Sequence, residues 1–371
     1  MVINNNLGNS YNQTKIVRQE QLAEKIVIVD GQPGCGKTML SPIIASMERV
    51  ELLSYVFEIE FICRLFHLKK IESDAATAMV RMLIDHKLYQ TMMGRDTNFR
   101  YSDLSSVFQD SHPWRYFKRI FQKGDMEIPA RIKNERPILN ITTHDLLCRS
   151  EPIISGLGDI ALLVEVVRHP LYMVKQQQLN MERLVGNVRD IDVNIEYNGK
   201  QLPYFAHGWE EQFLQANSME RAIYCIEKKT IETNEKRKIW KERNQLSILT
   251  IPFEKFVIDP WPFIKEIEEK LETKVGRRTN KIMKKQNVPR KVLSDAPSFE
   301  IYERCGWEPP TEGSEENELT KRRNLVAKNS SARALEVMDK LSQEYFHDYL
   351  SLSLIHVSEP TRLLSISYAV F

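Results

Sequence analysis

The sequence predicts an α/β fold: a mainly parallel, doubly wound sheet flanked by helices. Three observations lead there. Short apolar, β-branched runs of strand length recur along the chain, the pattern of strands buried on both faces. Segments with helical spacing lie between them, as the crossovers of a parallel sheet require. The first run, Lys25–Asp30, also enters a Gly-rich turn that opens onto a helix, the start of a βα unit.

Residues 1–24 read as a polar, Asn-rich lead-in with a short helix near its end. KIVIVD at 25–30 is the first strand, and Met39–Met47 follows the Gly-rich turn with helical spacing. A weaker strand, Val50–Tyr55, precedes helices over Val56–Leu68 and Ala75–Tyr89. Ser73 or Asp74 is expected to cap the second, each offering a side-chain oxygen to its first free N–H groups. Pro137–Thr142, Ile160–Val167 and Leu246–Ile251 supply further buried strands, and Pro262–Leu271 another helix. Two stretches break the alternation. Residues 91–132 are rich in arginine and aromatics, and 191–211 read as a hairpin turning at Asn198-Gly199. Residues 217–244 read as a charged helix with a solvated face, Gly313–Glu318 as a flexible acidic linker, and Ser331–Tyr349 as a last amphipathic helix capped by Ser330 or Ser331. The expected organisation is one α/β domain over 25–311, with inserts at 91–132 and 191–211, then a linker and C-terminal helix over 312–351.

Composition narrows the function classes. The 371 residues are 42% hydrophobic and 27% charged, as in a soluble globular protein. With 52 basic and 50 acidic residues, the net charge of +2 gives no bulk attraction for nucleic acid or an anionic membrane, and neither is expected as a partner. No apolar run approaches the roughly 18 residues of a membrane span, and the N-terminus lacks a signal-peptide core. Five scattered cysteines without a CxxC pair speak against a disulfide framework or zinc knuckle and for the cytoplasm.

The chemistry starts at Gly31-Gln32-Pro33-Gly34-Cys35-Gly36-Lys37-Thr38, a complete G-x-x-x-x-G-K-[ST] phosphate loop (Walker A) between a strand and a helix. Glycines let backbone N–H groups turn inward as an anion nest, and the helix that follows directs its positive end at the phosphates. Lys37 is placed for the terminal phosphate oxygens and Thr38 for a metal or a further oxygen. A P-loop kinase also wants a carboxylate at the end of a second strand to organise magnesium. Asp145 and Glu165 are the candidates, although neither ends an apolar run in the usual acidic pair.

Three later segments are similar to the sulfotransferase family, whose fold is of the P-loop nucleoside-triphosphate-hydrolase type. Leu139-Asn-Ile-Thr-Thr-His144 resembles the family's strand ending in Thr-His. Val166-Val-Arg168-His-Pro resembles its R-x-P turn, with Gln176 where the family has a serine. Ile251-Pro-Phe-Glu-Lys-Phe-Val-Ile-Asp-Pro260 resembles its Y-E-D-L-x-x-D-P block, with Phe253 for Tyr and Lys255 for Asp. The resemblance spans about residues 25–270 and implies a sulfotransferase-like topology with 3′-phosphoadenosine-5′-phosphosulfate (PAPS) as donor. It implies His144 as the base, Lys37 at the leaving phosphate, Arg168 on the 3′-phosphate, and no metal. Pro289-Arg290-Lys291 matches the late basic lid of that family. The acceptor is expected to be a small molecule or glycan carrying a hydroxyl or amine, with Tyr204, Phe205 and Trp209 lining its pocket. The phosphate loop departs from the family's P-K-S-G-T-T: Gly34 stands at its lysine position, and Lys37 occupies the nucleotide-triphosphatase position. An ATP–magnesium kinase and a nucleotide-binding regulatory module without transfer chemistry therefore stay open. Finally, Leu352–Phe371 resembles translated sequencing-adaptor read-through and is expected to be a non-native tail.

Overall fold

KIVIVD forms β1 (Lys25–Asp30), a strand whose last five residues are all buried. In the computed structural model, which describes residues 14–243, 245–293 and 314–351, β1 lies inside a four-stranded sheet. After it come α1 (Lys37–Ala45), α2 (Phe57–His67), α3 (Ser73–Met93), α4 (Pro113–Ile120) and α5 (Ile128–Glu135). Then follow β2 (Ile138–Thr142), α6 (Glu151–Leu157), β3 (Ala161–Val167), α7 (Pro170–Arg183), and a hairpin of β4 (Asn194–Tyr197) and β5 (Lys200–Pro203). The remainder is α8 (Glu210–Gln215), α9 (Ser218–Arg243), β6 (Ser247–Pro252), α10 (Phe253–Ile258), α11 (Trp261–Leu271), α12 (Arg277–Lys285), α13 (Glu315–Asn329) and α14 (Ala332–Tyr345).

The sheet runs β2-β1-β3-β6 with every pair parallel. Alternation along β1 gives each face its own core. Val27 and Val29 pack with Leu40, Ile43 and Ile44 of α1, whereas Ile26 and Ile28 pack with Ile59 of α2 and Ile84 and Leu88 of α3. This is the expected doubly wound α/β arrangement. Successive strands leave β1 in opposite directions, β2 on one side and β3 on the other. The crevice at their C-terminal ends is where such sheets bind ligands.

The remaining expectations meet the structure unevenly. Asn198 and Gly199 both take left-handed φ values, 49° and 72°, and close the hairpin as predicted. Val50–Tyr55 does not become a strand: only Val50 and Ser54 form parallel bridges to the free edge of β2. Residues 14–24 are not helical. Their polar groups converge on buried Asp85, which accepts from Arg18, Gln21 and the backbone N–H groups of Leu22 and Ala23. Neither Ser73 nor Asp74 caps α3. Glu72 holds that position, and Asp74 accepts instead from the N–H groups of Ile16 and Ala75. Ser331 does sit at the cap of α14, but without a side-chain bond there.

Two corrections concern charge. α9 is not simply a solvated face, because Ala222, Ile223, Cys225, Ile226, Lys229 and Trp240 are buried along it. Its charges occupy the rest of the circumference. The acidic stretch read as a linker is the first turn of α13, capped by Ser314, whose Oγ accepts from Asn317 N–H. Glu315, Glu316 and Glu318 lie against the positive end of that helix, where acidic residues are favoured. The tail at 352–371 lies outside the described residues.

The aromatic-rich insert is tied to the sheet edge by one buried carboxylate. Arg119 donates to both oxygens of Glu51 at 2.7 and 2.8 Å, and Tyr116 donates to Oε2 at 3.0 Å. Burial alone would raise the Glu51 pKa, but the Arg115 and Arg119 charges and these bonds outweigh it and hold the carboxyl at about 2. That stabilisation is complete above the ordinary carboxyl value of 4.5 and is lost as pH falls toward 2. Glu51→Gln is expected to cost about 3–5 kcal/mol at neutral pH. Denaturant melts at several pH values should show the gap from the parent protein closing as pH falls through that window.

Candidate active site

The loop after β1 is shaped by what it passes between. A Cβ on Gly31 would lie 2.4 Å from the Val166 carbonyl oxygen, and one on Gly36 would lie 2.4 Å from Cδ2 of Phe253. Both glycines also have positive φ, +143° and +107°, so close approach and backbone conformation both demand the missing side chain. Gly36 is the N-cap of α1, and Lys37 and Thr38 form its first turn. Lys37 is buried. Its ammonium folds back onto the Gly31 carbonyl and onto the Gln32 carbonyl at 3.2 Å. Gln177 of α7 braces the loop from outside, donating to Gln32 Oε1 and to the Pro33 carbonyl.

On one side of the loop, β2 runs into Thr143, His144 and Asp145. Asp30, at the end of β1, fixes this turn by accepting from Thr143 Oγ1 and from the N–H groups of Leu146 and Leu147. Burial raises the Asp30 pKa against those bonds. His144 is left half-exposed, with its ring parallel to those of Tyr55 and Phe57 at centroid distances of 6.3 and 6.2 Å. His144 Nδ1 lies 3.1 Å from Oε1 of buried Glu60. Arg64, one turn along α2, holds the other Glu60 oxygen and also bonds Asp192 at 2.6 Å. Asp145 adopts φ 55° and is buried against Lys229 of α9. Burial opposes ionisation of Asp145, but the Lys229 and Lys37 charges outweigh it and keep the carboxyl below its ordinary range. The same Asp145 charge raises the Lys229 pKa against the opposing effect of burial.

On the other side, β3 runs into Arg168. Its guanidinium donates to the Gly34 carbonyl at 3.0 Å and lies 4.2 Å from the centroid of the Phe253 ring. Arg290 meets the same ring at 5.5 Å and is anchored through Nε to the Asn287 carbonyl at 3.1 Å. Two arginines far apart in sequence therefore share one aromatic surface beside the loop. His169 is a structural cap: its Nδ1 accepts from Leu171 N–H, and burial pushes its pKa down to about 4.

A cavity of about 890 Å³ opens over the carboxyl ends of the strands. Pro33, Gly34, Gly36, Lys37 and Thr38 form its floor, His144 one wall, and Arg168, Gln176 and Arg290 the other. Of the residues expected from sequence, four stand apart. Gly31 borders a separate chamber of about 70 Å³. Cys35 points into the core, where burial raises its thiol pKa and removes the reactivity a helix N-terminus would otherwise favour. Lys291 is exposed and does not line the cavity. Tyr204 and Phe205 line the cavity, whereas Trp209 is buried in the core.

Glu60, Arg64, Lys229 and Gln177 were not singled out from sequence. Glu60 and Arg64 are an ordinary i,i+4 pair on α2 until β2 brings His144 beside them. Lys229 is hidden in a run of charges, with no local signal that α9 is central. The candidate magnesium ligands are otherwise engaged. Asp145 pairs with Lys229, and Glu165 takes Arg237 bidentately at 2.7 and 2.5 Å. Among the described residues, no three histidine, cysteine, aspartate or glutamate side chains gather as a metal site.

No family model matches the sequence, and no curated protein matches it. Solved structures similar to the chain include the sulfotransferase domain of the Synechococcus PCC 7002 olefin synthase. That likeness is 12% identical, covers 91% of this chain and 99% of that one, and has a TM-score of 0.38. Sulfotransferase STF9 from Mycobacterium avium is 12% identical over 88% of this chain and 77% of its own, at TM-score 0.40. Sulfotransferase STF1 from Mycobacterium tuberculosis H37Rv is 10% identical over 81% and 76%, at TM-score 0.34.

The buried Lys229–Asp145 pair gives a direct test of the site's electrostatics. Lys229→Met strands a buried carboxylate and is expected to cost about 3–5 kcal/mol. Adding Asp145→Asn should recover most of that loss in denaturant melts. Strictly additive losses would show that the two charges do not act as a pair.

Proposed function

We propose that this protein is a PAPS-dependent sulfotransferase acting on a hydroxyl or amine of a small-molecule or glycan acceptor. The observation that carries the reading is the single cavity joining the phosphate loop to His144 at the end of β2 and Arg168 at the end of β3. The residues present suit a nucleotide bisphosphate. The glycine loop and the start of α1 offer backbone N–H groups at one end, and Arg168 and Arg290 flank Phe253 at the side.

PAPS, when bound, supplies the sulfuryl group and a bisphosphate leaving group. With Nδ1–H directed to Glu60, His144 carries its lone pair on Nε2 and takes the acceptor's proton there as the acceptor atom bonds sulfur. Lys37 and the loop N–H groups hold the negative charge left on the 5′-phosphate oxygen when its bond to sulfur breaks. Arg168 grips the 3′-phosphate in this reading. Metal is not needed, and the engagement of Asp145 and Glu165 by Lys229 and Arg237 favours this over an ATP–magnesium kinase. Cys35, Cys63, Cys148 and Cys225 are buried free thiols, which suits a reducing cytoplasm. No helix among the described residues is long and apolar enough to cross a membrane.

Calorimetry with the full chain tests the donor site. Adenosine 3′,5′-bisphosphate should bind equally with and without magnesium, and Arg168→Ala should weaken it about 10- to 100-fold. His144→Ala should keep that binding but lower sulfuryl transfer about 10²- to 10⁴-fold. Preference for ATP with magnesium, indifferent to Arg168, would sink the proposal.

A further inference from the structure

Away from the cavity, the fold joins two segments that lie far apart in sequence. Lys285 of α12 donates to Gln109 Oε1 at 3.0 Å, and Gln109 in turn donates to the Tyr101 carbonyl at 3.2 Å. Arg278 of α12 donates to the Ser111 carbonyl at 2.7 Å. These bonds set α12 against the aromatic part of the insert. There Phe99, Tyr101, Phe108, Trp114 and Phe117 touch in sequence, with centroid distances of 5.6–6.4 Å. A cluster of this kind would ordinarily be buried, yet Tyr101 and Trp114 are each 74% exposed, and Phe99 and Phe108 are exposed as well.

α12 adds the charge. Its nine residues carry Arg277, Arg278, Lys281, Lys284 and Lys285 and no acid; all five are exposed, while Thr279 and Met283 face inward. The insert's own Arg95 and Arg100 sit near Asp125 and Asp103, and its Lys118 and Lys123 are exposed, so the five cations of α12 add to a positive surface. The net charge of +2 conceals this segregation.

We propose that the exposed rings of the insert and the basic face of α12 form one surface that docks on an anionic lipid bilayer. Aromatic side chains settle at the headgroup boundary, and clustered lysines and arginines are drawn to anionic lipid. The complementary charge selects this occupant. A second copy meeting the same face about a twofold axis would bring like cations together. The rings also meet at interplanar angles of 48–69°, packing as an apolar knob rather than presenting a row of open faces for stacked bases. The inference is independent of the transfer reaction.

The test is sedimentation of the full chain with phosphatidylcholine vesicles, with and without about 30% phosphatidylserine, and with heparin and oligouridylate as soluble polyanions. Binding should require phosphatidylserine. The double change Lys281→Gln/Lys284→Gln should weaken it about thirtyfold, taking each lysine's share at such a surface. Tryptophan emission should shift to the blue on vesicles, and Trp114→Phe should remove that shift. Both variants alter exposed side chains, and a circular-dichroism melt checks that they fold. Failure to sediment with either vesicle, equal binding by the double variant, or capture by heparin or oligouridylate alone would overturn the proposal.

Discussion

The rest of the site depends on how closely the loop after β1 is approached by its neighbours. At Gly31 the backbone passes the end of β3, and at Gly36 it closely approaches Cδ2 and Cε2 of Phe253 at the end of β6. These contacts fix the start of α1 relative to both strands, and they leave no room for a Cβ at either position. The same Phe253 ring carries the guanidinium groups of Arg168 and Arg290. One aromatic side chain thus sets the loop's position and aligns two cations beside it.

Around that contact the charges are arranged in pairs that cross between elements. Asp30 holds the turn after β2, Lys229 of α9 meets Asp145 in that turn, and Glu60 of α2 joins His144 to Arg64. Each pair is buried on at least one side, where a charge is tolerated only with a partner. The consequence for function is positional. His144 is oriented by a carboxylate and stacked on aromatic rings, while Lys37 is held at the loop by carbonyl oxygens. The groups that would carry chemistry are those whose remaining valence faces the cavity.

The two inserts play different parts. The hairpin insert brings Tyr204 and Phe205 to the lining of the cavity. The aromatic insert is fixed to the sheet edge through Glu51 and turns its other rings outward beside α12. The two inserts therefore contribute to different places, one to the cavity and the other to an exposed face, and neither interrupts the pairing of the sheet.

Read alone, the sequence determined the sheet strands to within a residue or two, the glycine-rich loop between β1 and α1, and the hairpin at Asn198-Gly199, because each is written in local periodicity or in backbone demands of single residues. It also singled out Lys37, His144, Arg168 and Arg290, which the structure places along one cavity. What it could not decide was anything set by which element lies beside which. A charged helix became central, an acidic linker became a capped helix start, and a plain i,i+4 pair became the partner of His144. Cys35 and Trp209 turned into the core, and α12 met the aromatic insert. Pairing across long sequence separations is governed by packing and desolvation, and neither leaves a mark on the residues nearby in the chain.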